Sequence, residues 1–266
     1  MEPFVALMRR YCIDYTNSHD QTVCDEIMDE GYVVHIAGFD LPRDSAYKPA
    51  VTAVFERFPG LGLVVHELVT NGDKLAMRFS EHGASPGHGG RQAVWAGIGV
   101  YSWDGRRLLE NWVEQDFLAQ ERQLHGEESA PALEPAHCDP WVSTRAQPSD
   151  PEALEIARAW LSKGDLYAAP KVVIDDSWYR ALDPSPIEVE SVTLNDLFSA
   201  GDRVAFHVSQ SGRYRGGLPG VADALRGREI TLRCVGIVRV AGGGVQEVRA
   251  VTDRQGARAE LLGRSG

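Results

Sequence analysis

The chain has 266 residues, 43% of them apolar and 24% charged, with a formal net charge of −11. That composition is that of a folded globular protein and excludes a disordered one. The excess of acid leaves no basic face, so neither nucleic acid nor an anionic membrane surface is expected as a partner.

The N-terminal stretch MEPFVALMRRYC holds no long apolar core, and no run approaches the ~20 apolar residues of a membrane span, so the expected location is cytoplasmic. A helix is predicted over residues 3–16, with Phe4, Leu7, Tyr11 and Tyr15 along one side. Asp20 is placed to cap a second helix through QTVCDEIMDE, and Gly31 to end it. YVVHIA reads as a short strand, and SAYKPAVTAVFERF as a third helix that stops at Pro59-Gly60. Three strands follow near 61–70, 74–82 and 93–103, and a last one over 107–116 is entered through Asp104-Gly105. Helices first and antiparallel strands after them give an α+β layout, a curved sheet wrapped on helices to form a cone with an internal cavity. Residues 125–150, rich in Pro, Ala, Ser and acid, have linker composition, with Trp141 expected to dock the segment onto a domain. Ser149 or Asp150, followed by Pro151, then starts a new helix.

The order of elements occurs twice. RLLENWVEQDFLAQERQL (107–124) lies over GVQEVRAVTDRQGARAELL (244–262), so that Glu110 falls on Glu247, Asp116 on Asp253 and Leu124 on Leu261. NGDKLAMRFSEHG (71–83) lies over AGDRVAFHVSQSG (200–212), and ALMRRYCIDY (6–15) resembles ALEIARAWLS (153–162). These matches predict a duplicated domain: a first unit over 1–125, a linker over 126–148 and a second unit over 149–266. The second unit is shorter between its helices and strands, where the counterpart of YVVHIA and much of the third helix are expected to be missing. It is therefore expected to be a degenerate partner.

ENWVEQDFLAQERQL, preceded by RRLL, resembles the Gly-x-[Ile/Val]-Glu-x-Trp-x-x-x-Asp strand and following helix of the SnoaL-like polyketide cyclases, within the nuclear transport factor 2-like superfamily. GGLPGVADALRGREITLRCVGIVRV, YVVHIAG and FERFPGLGLVVHELVTNGD are similar to further segments of that family. The resemblance implies cone-shaped domains that pair sheet to sheet, here as a pseudo-dimer within one monomeric chain. It also implies a cofactor-free acid/base cavity in which the strand-end aspartate, at the position of Asp116, shuttles a proton during ring closure.

The residues carry a reading of their own. Alternation places Glu110, Trp112, Glu114 and Asp116 on one face of the last strand, and a carboxylate desolvated beside an apolar cavity titrates nearer neutrality. Asp116 is equally placed to cap the helix after it, or to form a salt bridge. His35 and Glu67 are further acid/base candidates, with a hydrogen-bonded core histidine and a surface glutamate as their structural counterparts. Tyr11, Tyr15, Phe55, Trp95 and Trp112 are expected to wall a substrate pocket. In the second unit Asp253, His207 and Arg249 hold comparable places, with Arg249 expected to keep Asp253 ionised. Cys12, Cys24, Cys138 and Cys234 show no metal-ligand spacing, so reduced thiols and no metal or other cofactor are expected. The leading expectation is an enzyme working through an enolate on a polycyclic, steroid- or polyketide-like molecule. Epoxide opening on the same fold and non-catalytic binding of an apolar ligand are the alternatives.

Overall fold

The structure, a computed structural model, describes residues 1–127, 138–176 and 185–263. Helix α1 (Pro3–Arg10) begins with a proline in its first turn, where no intrahelical hydrogen bond is lost, and buries Phe4, Val5, Leu7 and Met8. It continues as a π-helical segment, Tyr11–Asn17, with Tyr11 and Tyr15 both buried. Asp20 accepts from the Thr22 amide at 2.9 Å and caps a 3-10 turn, Gln21–Val23, but the α-helix that follows is a single turn, α2 (Cys24–Ile27). The expected run to Gly31 is replaced by strand β1 (Met28–Ile36), in which Met28, Tyr32 and Val34 are buried. Even-numbered alternation toward the core wins over helical spacing, and Gly31 sits at an irregularity between Met28 and Val33.

Strand β2 (Phe39–Pro42), helix α3 (Lys48–Arg57), strands β3 (Gly62–Thr70), β4 (Lys74–Ser85), β5 (Arg91–Trp103) and β6 (Leu108–Gln115), and helix α4 (Phe117–Leu124) complete the first domain. The sheet order is β2-β1-β6-β5-β4-β3, with β1 parallel to β6 and the other pairs antiparallel. In the connection, residues 128–137 lie outside the described residues, and α5 (Pro140–Ser143) carries Trp141 against the first domain's core, as expected.

Helix α6 (Pro151–Leu161) opens the second domain, with the Asp150 carboxylate accepting from the Glu152 and Ala153 amides. Strands β7 (Lys171–Ile174), β8 (Ile187–Ala200), β9 (Arg203–Tyr214), β10 (Glu229–Ala241) and β11 (Gly244–Thr252), and helix α7 (Arg254–Leu261), follow. Their sheet order is β7-β11-β10-β9-β8, with β7 parallel to β11. Strand β7 is thus the counterpart of β1, which corrects the expectation that this strand is missing. It is shortened at its start instead: Lys171–Ile174 pair with β11 as Val33–Ile36 pair with β6. Asp175 (φ 54°) repeats the left-handed conformation of Ala37 (φ 52°), so the two strands end alike and β7 has no counterpart of 28–32. The place of the third helix, 177–184, lies outside the described residues.

The sheet faces turned away from the helices meet. Val69, Ala76, Ile98 and Val100 of the first domain and Phe198, Ala200, Ala205, Val235, Ile237 and Val251 of the second form one buried cluster. Each fully buried Val, Ile or Phe contributes about 1.5–3 kcal/mol relative to exposure, so the sheets form a pseudo-dimer within one chain. Lys74 pairs with Asp196 across this contact, and Arg203 with Glu67 at 3.4 Å. Among the described residues no helix is long and apolar enough to cross a membrane.

Candidate functional site

A cavity of about 620 Å³ lies between the first sheet and its helices. Tyr11, Tyr15 and Tyr47 line it from the helical layer, and Phe79, Trp95 and Tyr101 from the sheet. Alternation along β4 explains the sheet side: Leu75, Met77 and Phe79 belong to the core under the helices, while Ala76 belongs to the interdomain cluster. Phe79 reaches its position because Gly97 has no side chain; a Cβ there would stand 2.3 Å from the ring's Cζ.

Glu81 continues the same inward set of β4 and lies opposite Trp95 in the sheet register. It lines the cavity and is 9% exposed. Burial drives its carboxyl up, polar contacts with Trp95 and Gln115 pull it partly back, and the balance stands at about 7. Trp95 Nε1 donates to Gln115 Oε1 at 2.7 Å, which fixes the amide beside the carboxyl. Other polar groups converge on the same space. The Tyr11 and Tyr47 hydroxyls share a hydrogen bond of 3.1 Å, and the charge of Glu81 is among the causes that raise the Tyr11 hydroxyl. Tyr15 Oη and Asn111 Oδ1, both on cavity-lining residues, are buried without a hydrogen bond of normal geometry. The outer lining includes Phe39 and Val54, which are exposed, together with Arg57, Glu121, His125 and Gln255.

Of the residues singled out in the sequence, Tyr11, Tyr15, Phe55 and Trp95 lie on this wall. Trp112 and Asp116 do not. The alternation along β6 is as expected, but Asn111, Val113 and Gln115 face the cavity, whereas Trp112 packs at the interdomain cluster. Asp116 Oδ1 accepts from the Ala119 amide at 3.1 Å, capping α4, and from Arg254 Nη2 at 2.7 Å. Its Oδ2 accepts from the Asp176 amide at 3.0 Å. The expectation that Asp116 opens into the cavity is therefore corrected: its side-chain acceptors are taken by a helix end and by the second domain. His35 stacks on Trp112 with ring centres 3.8 Å apart and bonds Asp40 at 2.6 Å and Glu110 at 3.1 Å, outside the cavity lining. Glu67 is likewise outside it, in ion pairs with Arg78 at 3.3 Å and Arg203.

In the second domain Asp253 caps α7 through the Gly256 amide at 2.8 Å, and burial raises its carboxyl to about 7 despite Arg233 at 3.4 Å. Its arginine partner is Arg233 rather than the expected Arg249, which pairs with Glu247 at 3.2 Å. His207 is buried against Glu114 at 3.1 Å; burial lowers the imidazole to about 3 and raises the carboxyl to about 8. The second domain has its own cavity of about 400 Å³, lined by Gln210, Leu232, Thr252 and Arg254 among others.

Sequence reasoning passed over Glu81, Tyr47, Tyr101, Asn111 and Gln115. A usable signal existed for Glu81, a carboxylate in the same alternating set as Leu75, Met77 and Phe79.

A family model described as SnoaL-like polyketide cyclase matches residues 6–124 and 187–261. No curated protein matches the sequence. Among solved structures, a candidate SnoaL-like polyketide cyclase from Jannaschia sp. CCS1 is 18% identical, with 47% of this chain and 94% of that one covered and a TM-score of 0.42. IdmH, a candidate polyketide cyclase from Streptomyces antibioticus, is 21% identical, covers 47% of this chain and 99% of its own, and has a TM-score of 0.42. AclR, a candidate hydroxylase from Streptomyces galilaeus, is 15% identical over 48% of this chain and 100% of its own, with a TM-score of 0.43. Because the model's two matched segments together cover more than half of the sequence, one in each domain, the chain belongs to the SnoaL-like polyketide cyclase family.

Proposed function

We propose that the first domain is a cofactor-free acid/base enzyme acting on a polycyclic, polyketide-like small molecule, with Glu81 as the proton-transfer group. The observation that carries this reading is a buried carboxyl held near neutrality on the wall of an aromatic cavity. Near pH 7 such a group exists in both forms and is able to take and return a proton within one turnover. As carboxylate, Glu81 accepts a proton from carbon next to a carbonyl: the C–H bond breaks, an O–H bond forms, and the charge moves to the carbonyl oxygen. Hydroxyls of Tyr11 and Tyr15 line the same cavity from the helical layer and serve as donors to that oxygen. In isomerisation the protonated Glu81 returns its proton to a second carbon. In ring closure the enolate carbon bonds to another carbonyl carbon, and Glu81 protonates the resulting alkoxide.

Asp116, the acid suggested by the sequence, acts in this reading as the anchor of α4, Glu67 as part of the domain contact through Arg203, and His35 as a hydrogen-bonded histidine stacked on Trp112. Solvent-deuterium exchange at the α-carbons of a panel of polycyclic ketones, followed by NMR, tests the assignment. The expected result is exchange that Glu81→Gln abolishes and that falls off as pH drops below about 7. Equal exchange in Glu81→Gln, in a protein that stays folded, removes Glu81 from the role. Tight ligand binding with no exchange by either protein leaves a carrier.

A further inference from the structure

The second domain carries a residue into the first domain's cavity. Gln255, on the first turn of α7, lines that cavity, and its Nε2 donates to Glu121 Oε2 at 3.3 Å. Arg258, one turn further along α7, pairs with the same carboxylate oxygen. Glu121 and His125, which also line the cavity, belong to α4 and the residue that follows it. The base of α4 is tied to the second domain as well, because Arg254 holds the capping Asp116. One short helix of the second domain thus touches α4 at two places, at its start through Asp116 and at its middle through the cavity-lining Glu121.

The repeat shows that this arrangement is particular to the tandem chain. In the alignment that lays Asp253 on Asp116, Gln255 falls on Leu118 and Arg258 on Glu121. Leu118 is buried in its own domain, so a first domain paired with a copy of itself has no amide to offer at this place. Two copies of Glu121 would also face each other where Glu121 now faces Arg258. Complementary side chains occupy equivalent positions, and they meet at a cavity wall.

We propose that α7 of the second domain is a working wall of the first domain's cavity, with Gln255 as a residue that sets the size of molecule admitted and Arg258 as the positioning residue that holds Glu121 there. The proposal rests on the reading of this cavity as the working one. It gives the second domain a role that does not require a reaction of its own.

The test uses a reporter at the cavity's own carboxyl position and needs no knowledge of the substrate. Cys12, Cys24 and Cys234 are buried and Cys138 is exposed, so a full-length Glu81→Cys, Cys138→Ser protein presents a cysteine to reagents that enter the cavity, with the Cys138→Ser protein as background. Labelling by pyrene maleimide is compared with labelling by the small reagent iodoacetamide. Adding Gln255→Trp is expected to slow the pyrene reagent about tenfold, and Gln255→Ala or Arg258→Ala to speed it about threefold, with iodoacetamide changed by less than about twofold. Pyrene labelling that is unchanged by these α7 substitutions, or no pyrene labelling in any of the proteins, overturns the proposal. A loss of deuterium exchange is not read here, so this test fails or succeeds separately from the assignment of Glu81.

Discussion

The two domains share a fold and differ in what they place inside it. The repeat lays Glu81 on Gln210, and the pairing of the last strands lays Trp95 on Leu232, Tyr101 on Val238, Asn111 on Val248 and Gln115 on Thr252. Tyr11 falls on Arg158, and Tyr15 on Ser162. Gln210, Leu232 and Thr252 line the second cavity, so the positions still face inward while their chemistry has changed. Gln210 is 2% exposed and donates to the Gly164 carbonyl at 2.8 Å, a hydrogen bond within the fold. The comparison separates scaffold from site: glycine turns, alternation and capping aspartates occur in both halves, whereas the tyrosine hydroxyls and the carboxyl of Glu81 have no counterpart at the aligned positions of the second half, whose cavity is lined instead by Asp175 and Asp176 paired with Arg254.

The largest expected effect comes from making the first cavity resemble the second. Glu81→Gln copies the difference at this position and is expected to lower turnover by about 10²–10⁴-fold, the usual worth of a positioned acid/base. The same change should stabilise the fold at high pH. A folded-state value of about 7 against an ordinary 4.5 means that stability is fully present below 4.5 and is lost as pH rises through about 7. At ~1.4 kcal/mol per pKa unit, the variant should gain roughly 3 kcal/mol on its parent between pH 4 and about pH 9, by chemical denaturation. The converse, Gln210→Glu, should destabilise the second domain at neutral pH without adding activity.

Next in size is the contact that redirects Asp116. Arg254 faces Asp116 at 2.7 Å, Asp176 at 2.6 Å and Asp175 at 3.3 Å, and these carboxylates raise its pKa although burial lowers it. Arg254→Ala leaves them buried with their principal cation removed, a loss of about 3–5 kcal/mol. The loss should shrink in acid, where the carboxyls take up protons. A cost below 1 kcal/mol at pH 7, with Asp116→Asn then abolishing exchange, would return Asp116 to the list of acid/base candidates.

Much of this architecture was legible in the sequence because it depends on local rules. The Asp104-Gly105 turn, two-residue alternation and the start at Pro151 marked the elements, and the repeat of their order marked the tandem α+β layout. The single-turn α2 was not legible, because CDEI has apolar ends that serve either a helix or the approach to a strand. The site was misplaced for a different reason. Alternation divides β6 into two faces, and both are buried, one under helices and one under the second domain. Hydrophobicity therefore could not say which face carries the cavity, and Glu110, Trp112, Glu114 and Asp116 were assigned together to the wrong one. On β4 the inward set is marked by Met77 and Phe79, so Glu81 stood in a place that the same rule identifies.

A smaller effect belongs to the buried Glu114–His207 pair. Ala37 donates its amide to Glu114 Oε2 at 3.1 Å, and Asn195 lies 2.9 Å from His207 Nδ1. Glu114 contributes stability below 4.5 that is lost as pH rises through about 8; His207 contributes above 6.5 and loses it as pH falls toward about 3. Between 4.5 and 6.5 the two slopes oppose each other. Glu114→Gln keeps an acceptor for His207 and removes the alkaline loss, so the parent should lose roughly 2 kcal/mol more than this variant between pH 6.5 and about pH 9. Parallel curves for the two proteins would mean that the pair carries a net charge in the folded state.

The smallest effect probes what keeps the halves matched to each other. Glu121 and Arg258 occupy equivalent positions, and their side chains are 29% and 17% exposed, so the pair is screened only in part. Arg258→Glu replaces an attraction with the repulsion that two identical first domains would meet, at a cost of about 1 kcal/mol. Glu121→Arg alone should cost a similar amount, and the double exchange should recover most of both losses, because the term belongs to the pair. Full recovery in stability without recovery in pyrene labelling would locate the gate at Gln255 and leave Glu121 with a purely structural part. Recovery of both would show that the charge pair also sets the opening, and that divergence at one symmetric position serves the domain contact and the cavity together.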